Sequence, residues 1–528
     1  MLEKTLAHCN AVGRSAALRG ARALTPGCFL IVVLAMVVVS GRNLASPNFW
    51  FDEAGQYWIS VGQLHGSPLG TPDASIVSRW DASKCCNSDP GGYSFLMRAA
   101  ISLLGSEPPY LRICSFIFFV LGVFGVFLLC RAAELGTLPS LAIATIPFIP
   151  DRVLEFAFET RAYSSESCGI VFLIFSTYLL VISPSRSRFA LWLVVVAIFS
   201  WTRYGFVIFV IASLVTLLLT SLYYKSPSLM ATFLLTLAYS FWLALIYVVH
   251  LRWISAPGLP YYMEDTVFKG KSLAEALEML RTNFFAANML PKTAFLLTGV
   301  ACLAVDTVWR RRWTNRFIVV GLLLTMLCEA IYFVLSLIGL MPWLANSRWS
   351  FNENNLSLLG IIGIAVLITD ISRGVLDRFA PRFGRPALGA VVAGLAISLV
   401  VYDSLRLARY DRANWEFTRV PDALWSMAES GEIKGPLVVQ WSMWPSFRYI
   451  YERSRISIPK LDPQQIKQVE FEVQSLRSLV AAASPDTHFI VGTWDSKEMQ
   501  KLKDVANVQA FGTGSLFTYV VQPLRPDR

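Results

Sequence analysis

Charge is scarce in this chain. Of 528 residues only 16% are Asp, Glu, Lys or Arg, against 55% hydrophobic residues and a mean hydropathy of +0.52. A soluble globular protein carries about a quarter of its residues as charges, so that class is excluded. Histidine is rarer still, with four in all, and the nine cysteines show no metal-ligand spacing. No Gly-rich phosphate loop follows any strand-like run, which leaves a nucleotide-binding role without support. No sequence repeat is found. The first apolar run follows basic residues, yet Phe49-Trp50-Phe51 and acidic residues come after it in place of a small-residue cleavage site. It reads as a retained signal anchor.

What is there is long apolar runs bounded by charges. They place spans near 27–41, 109–131, 135–150, 166–184, 187–203, 204–222, 229–250, 291–309, 316–340, 355–371 and 387–403. That makes about eleven transmembrane helices. The net charge of +10 would suggest nucleic acid in a soluble protein. Here topology accounts for it. With the N-terminus inside, Arg131, Arg186, Arg188, Lys225, Arg310 to Arg312, Arg316, Arg373, Arg378, Arg382 and Arg385 all fall in short inner loops. The long segments of mixed charge face outward: 42–108, 151–165, 251–290 and everything from 404 on. The expected organisation is a membrane unit over 1–403 and a small α/β domain over 404–528 on the outer side.

In the first outer segment, 52–65 and 93–104 read as interfacial helices lying along the membrane surface. Cys85 and Cys86 stand together in this loop, where vicinal residues rarely bridge each other. In the C-terminal segment, 436–441, 488–493 and 515–521 read as strands, and 462–483 and 496–504 as helices. Trp441, Trp444, Tyr449 and Tyr451 are of a type that stacks on sugar rings. The alternative is that they pack the domain core or rest on the membrane.

Ionisable groups near hydrocarbon are costly unless solvated, paired or used. Asp52 and Glu53 sit among Phe49, Trp50 and Phe51 at the first membrane exit; they are a candidate base, or a solvated pair marking a helix start. The turn from Asp151 to Ser164 holds Glu159 and Arg161 between two apolar spans. Arg161 offers a fork suited to a phosphate, or an ion pair with Glu159 or Asp52. Arg348 beside Trp349 is a second phosphate candidate or an interfacial anchor, and Arg203 a weaker third. His65 and His250 lie near outer boundaries without a matching second ligand, and neither is assigned a role.

Taken in order, these segments resemble the membrane-embedded type C glycosyltransferases, the group that includes protein O-mannosyltransferases and the lipid A aminoarabinose transferase. The resemblance is carried by Asp52-Glu53, by Tyr93-Ser94-Phe95-Leu96 with Leu104-Gly105-Ser106-Glu107 and Leu111-Arg112, by Glu159-Thr160-Arg161-Ala162-Tyr163, and by Arg348-Trp349. One departure is Asp89-Pro90-Gly91-Gly92 where many relatives have His-Pro-Pro.

The resemblance implies a sugar carried on a polyprenyl phosphate and passed to an acceptor hydroxyl of an envelope glycan, lipid or protein. Asp52 would be the base and Glu53 its support. Arg161 and Arg348 would hold the phosphate with Tyr163 beside them, and Glu159, Asp89 and Arg203 would assist. A phosphate leaves as a stable anion, so one base and one or two arginines suffice, and direct displacement implies inversion. Some relatives use a divalent cation; Asp52, Glu53 and Asp89 are the residues that would hold one here. A transporter or flippase is the competing class, but the paired repeats and midplane ionisable groups of such proteins are not evident. A ligase or polymerase of diphosphate-linked glycans shares the topology.

Overall fold

The computed structural model describes residues 38–46 (apart from 39 and 42), 49–74, 91–146, 151–224, 229–249, 267–309, 315–341 with 343, and 353–379. It also describes 394–410 in part, 419–429, 435–493 apart from 459, 496–511 and 517–524. Asp89, Arg348, Cys85, Cys86 and His250 lie outside these residues, as does most of the expected spans 27–41 and 387–403.

The bundle is built from α3 (Pro108–Ala132), α4 (Thr137–Thr145), α5 (Asp151–Ala157), α6 (Tyr163–Ile182), α7 (Arg186–Phe199), α8 (Phe206–Tyr224), α9 (Leu229–Val249), α10 (Leu273–Phe285), α11 (Leu290–Trp309), α12 (Arg316–Leu337) and α13 (Glu353–Phe379). Two further helices, α1 (Phe51–Ser60) and α2 (Gly92–Leu104), precede it. Local signals set several ends. Pro108 opens α3, where its missing N–H costs nothing. Asn315 caps α12 by accepting from the Phe317 amide at 2.9 Å, and Ser272 with Glu275 forms a capping box on α10.

Among the described residues α3, α6, α8, α12 and the 354–372 stretch of α13 are long and apolar enough to cross a membrane. The α10–α11 pair, bent by 81°, makes a sixth when taken as one span. One expected span is shorter than anticipated. The 187–203 run holds only the 14 residues of α7, which breaks into turns before Arg203. The apolar composition runs on through those turns, so hydropathy alone overstates the helix. The 135–150 run holds α4, and 147–150 lie outside the described residues.

α6 is the central element, packed against α3, α5, α7, α8, α12 and α13. Its contacts include a satisfied polar trio: Trp192 Nε1 donates to Thr177 Oγ1 at 3.2 Å and Ser213 Oγ at 3.1 Å, and those hydroxyls lie 2.6 Å apart. In a membrane such closed networks tie helices together without exposing a polar group to lipid. α13 meets α11 at close range through Gly360.

The C-terminal segment forms a five-stranded sheet in the order β2-β1-β3-β5-β4, from β1 (Leu437–Gln440), β2 (Ile466–Val469), β3 (His488–Thr493), β4 (Ala506–Phe511) and β5 (Phe517–Pro523). β1 runs parallel to β2 and β3; β5 is antiparallel to β3 and β4. α14 (Val420–Glu429) and α15 (Trp444–Glu452) cover one face, α16 (Leu476–Ala482) and α17 (Ser496–Gln500) the other. The helix expected over 462–483 is a strand followed by a seven-residue helix. Pro463 and the Asp462 side chain, which accepts from Gln464 N at 3.0 Å, fix a tight turn, and pairing with β1 draws 466–469 into the sheet. Strand β4 carried no clear sequence signal.

The core under α15 continues into α1 and α2 through Phe49, Tyr57, Trp58, Tyr93 and Met97. The expected interfacial helix over 52–65 is therefore ten residues long and buried on nearly all sides rather than lying on a surface. α2 does keep an open apolar face, with Leu103 83% and Phe95 58% exposed.

A Cβ at position 360 would sit 2.7 Å from the Pro291 carbonyl oxygen. Gly360→Val is expected to destabilise the α11–α13 contact by about 1–3 kcal/mol, read as a lower thermal unfolding midpoint in detergent. An unchanged midpoint would contradict this packing.

Candidate functional site

Asp52 and Glu53 occupy the first turn of α1, where carboxylates are favoured by the helix dipole. Their environments differ. Asp52 is half-buried; Glu53 is fully buried. Arg112 of α3 grips Glu53 with two bonds, Nε to Oε1 and Nη2 to Oε2, each 3.0 Å, and also donates to the Ser46 carbonyl. The Thr160 amide donates to Glu53 Oε1 at 2.9 Å. This bidentate pair joins α1, α3 and the turn before α6 in one place. Glu53 thus spends its oxygens holding the Glu159-Thr160-Arg161 turn. Arg112, present in the sequence only as part of a motif, turns out to be the other half of the clamp.

That turn is fixed from a second side. Tyr93 Oη and Ser115 Oγ lie 2.5 Å apart, and Ser115 donates to the Arg161 carbonyl at 3.3 Å. The Arg161 amide in turn donates to the Glu159 carbonyl at 2.8 Å. The Arg161 and Arg203 guanidiniums, both buried, converge on the ring of Tyr163, at 5.8 Å and 4.1 Å from its centre. Glu166 pairs with Arg203 at 3.2 Å. Arg203 therefore belongs beside Arg161 more firmly than its sequence context implies. Glu166, lost within an apolar run, is a member of the site that the sequence did not mark. Glu159 is buried in the same turn.

His65 completes the near side. Its ring lies against Gly55, where a Cβ would come within 2.6 Å of Nε2, and edge-on to Phe51 at 5.8 Å. Burial, and next the positive charge of Arg161, push its pKa down to about 4, against a weaker opposing pull from Asp52. Asp52 and Arg161 thus act on one imidazole, which is neutral at pH 7.

Below Tyr163 opens a cavity of about 200 Å³ between α3, α6, α11 and α13. Its lining is mostly apolar, with Phe119, Val126, Val171 and Ile361, and includes the polar Ser164, Ser167, Asn288 and Asn355. Asn355 is buried. Its Oδ1 accepts from Ser167 at 2.7 Å, while its Nδ2 has no partner among the described residues. A buried donor left so costs about 1–3 kcal/mol, which a ligand oxygen would recover.

A divalent cation does not fit what is seen. Glu53 is committed to Arg112 and Thr160, and among the described residues no three His, Cys, Asp or Glu side chains converge. Asp89, like Arg348, lies outside those residues.

No protein-family model and no curated protein matches the chain. A solved structure does: ArnT from Cupriavidus metallidurans bound to undecaprenyl phosphate, with TM-score 0.50 and 11% identity over 94% of this chain and 98% of that one. The chain has the fold of ArnT. The apo form of the same protein gives a TM-score of 0.48 at 12% identity, covering 96% of this chain and 98% of that one. The Archaeoglobus fulgidus oligosaccharyltransferase gives 0.42 at 12% identity, covering 80% and 61%. The membrane architecture that the resemblance implies is thus seen as a likeness of fold to ArnT.

Because the folded His65 pKa lies below the ordinary value of 6.5, the unfolded chain binds the proton first as pH falls. Its contribution is complete above about pH 6.5 and is lost on the way down to pH 4, amounting to about 3 kcal/mol. Thermal unfolding between pH 7 and 4.5 is expected to show a fall in midpoint that His65→Gln flattens. An equal fall in both proteins would contradict the burial of a neutral imidazole.

Proposed function

We propose that the chain is an integral-membrane glycosyltransferase that moves a sugar from a polyprenyl-phosphate donor to an acceptor hydroxyl on the outer face of a bacterial inner membrane. The observation that carries this reading is the pairing of a cationic centre with an amphiphilic cavity. Two guanidiniums meet on Tyr163, and Ser164, the next residue, lines a mostly apolar cavity that also holds Ser167, Asn288 and Asn355. Glu166 pairs with Arg203 there. A phosphate head with a hydrocarbon chain fits both halves, and ArnT, which shares the fold, was solved with undecaprenyl phosphate bound.

In this reading Asp52 takes the proton from the acceptor hydroxyl. The oxygen attacks the anomeric carbon from the side opposite the phosphate, a new C–O bond forms, and the glycosyl–phosphate bond breaks with its electron pair on the phosphate oxygen. Configuration inverts. Arg161 and Arg203, joined by Arg348, stabilise the charge that builds on the leaving phosphate. Tyr163 sets the spacing of the two guanidiniums. Glu53 works through Arg112 and Thr160 to hold Arg161 at a fixed distance from Asp52, and Glu159 belongs to the turn so held. The C-terminal sheet stands on the periplasmic side, above α1.

Asp52→Asn is expected to abolish sugar transfer while leaving undecaprenyl phosphate binding, measured by native mass spectrometry of the detergent-purified protein, within about twofold of wild type. Arg161→Ala is expected to weaken that binding by on the order of 2–5 kcal/mol, the cost of leaving a buried phosphate without its partner. Wild-type turnover by the first variant, or unchanged affinity in the second, would overturn these roles.

A further inference from the structure

Four aromatic residues of the C-terminal segment are suited to stacking on sugar rings, and the structure separates them. Trp444 is buried, donating to the Ser67 carbonyl at 3.0 Å. Tyr449 is buried against Phe49 and Tyr57 and donates to the Ser106 carbonyl at 2.9 Å. Tyr451 stacks on Phe447 and donates to the Leu461 carbonyl at 2.9 Å. Trp441 alone of the four has neither fate. It is half-buried and meets Phe51 in a T-shaped contact at 5.2 Å, so part of the residue stays accessible.

Its position is a second, independent pointer. Trp441 is the first residue past β1, and its amide donates to the Val469 carbonyl at the end of β2. β1 lies between β2 and β3 in the parallel part of the sheet, so the chain leaves it towards one side through α15 and returns on the other as β3. In open parallel sheets the crevice outside the carboxyl ends, at such a reversal, is where ligands bind. Here that edge faces α1. Trp58 donates to the Pro445 carbonyl at 3.0 Å, and a Cβ on Gly66 would meet the Gln468 amide at 3.3 Å. Phe51, the residue against Trp441, is the one before Asp52. Ser442 next to it holds a buried hydroxyl with no partner among the described residues.

We propose that the cleft between the carboxyl edge of β1–β2 and the first turn of α1 binds the acceptor, and that the acceptor is a saccharide whose ring lies on Trp441. The inference rests on the glycosyl-transfer reading above. The C–H face of a pyranose covers an indole, and one of its hydroxyls is presented to Asp52, which receives its proton as the new glycosidic bond forms. A Ser or Thr side chain on a polypeptide offers no ring to cover the indole. A glycolipid headgroup and a polysaccharide share the required chemistry.

The test places Trp441→Ala, Trp441→Leu and Trp441→Phe in the full-length chain in the source organism, beside a deletion strain. The transferred sugar is quantified in polysaccharide, glycolipid and protein fractions, together with the polyprenyl-phosphate sugar. Undecaprenyl phosphate affinity and thermal midpoint are measured on the purified variants. Ala and Leu are expected to lower transfer about tenfold or more and to accumulate the donor, with affinity and midpoint unchanged, while Phe restores most of the transfer. Leu retains bulk against Phe51, so its failure separates stacking from packing. The fraction that loses sugar identifies glycolipid or polysaccharide. Wild-type transfer by Trp441→Leu, or sugar attached to Ser or Thr side chains, would overturn the proposal. A deletion strain that loses no sugar and accumulates no donor would overturn the glycosyl-transfer reading and this inference with it.

Discussion

The buried pair of Glu53 and Arg112 is the constraint on which the site depends. Two charges removed from water are tolerable only with near-ideal geometry and further hydrogen bonds, and both are present: a two-pronged contact, the Thr160 amide and the Ser46 carbonyl. The arrangement fixes three chain segments that are 59 and 107 residues apart from Glu53 in sequence. It also explains why two adjacent acids have different fates. Successive residues on a helix point about 100° apart, so when Glu53 is drawn into the bundle Asp52 is turned away from it.

Cationic and apolar features adjoin one another. Burial and the charge of Arg161 hold the His65 pKa down, which keeps a third positive charge away from Asp52. Arg161 and Arg203 share one aromatic ring, and the cavity lining begins one residue later, at Ser164. A chain that is poor in charge has thus concentrated a large share of its buried charges at one end of its bundle, where a lipid-borne anion would meet them.

Much of this was legible in the sequence, and the limits were physical. Long spans such as Pro108–Ala132 and Arg316–Leu337 announce themselves by length and hydropathy. The true end of α7 does not, because the turns after it are as apolar as the helix. The burial of α1 depends on a sheet nearly 400 residues later covering it, and β2 looks helical until β1 is beside it. Asp52 and Arg161 could be picked out from charge near hydrocarbon, and Tyr163 from the family resemblance. Arg112 and Glu166 could not, since a single charge in a membrane segment names no partner, and the division of labour between Asp52 and Glu53 depends on which of them faces α3.

The most direct measurement is an experimental structure of the protein in lipid nanodiscs with undecaprenyl phosphate. The account predicts phosphate density against the Arg161 and Arg203 guanidiniums beside Tyr163, with the isoprenoid chain entering the cavity lined by Phe119, Val171 and Ile361. Lipid bound elsewhere on the bundle, with that cavity and both arginines untouched, would contradict it.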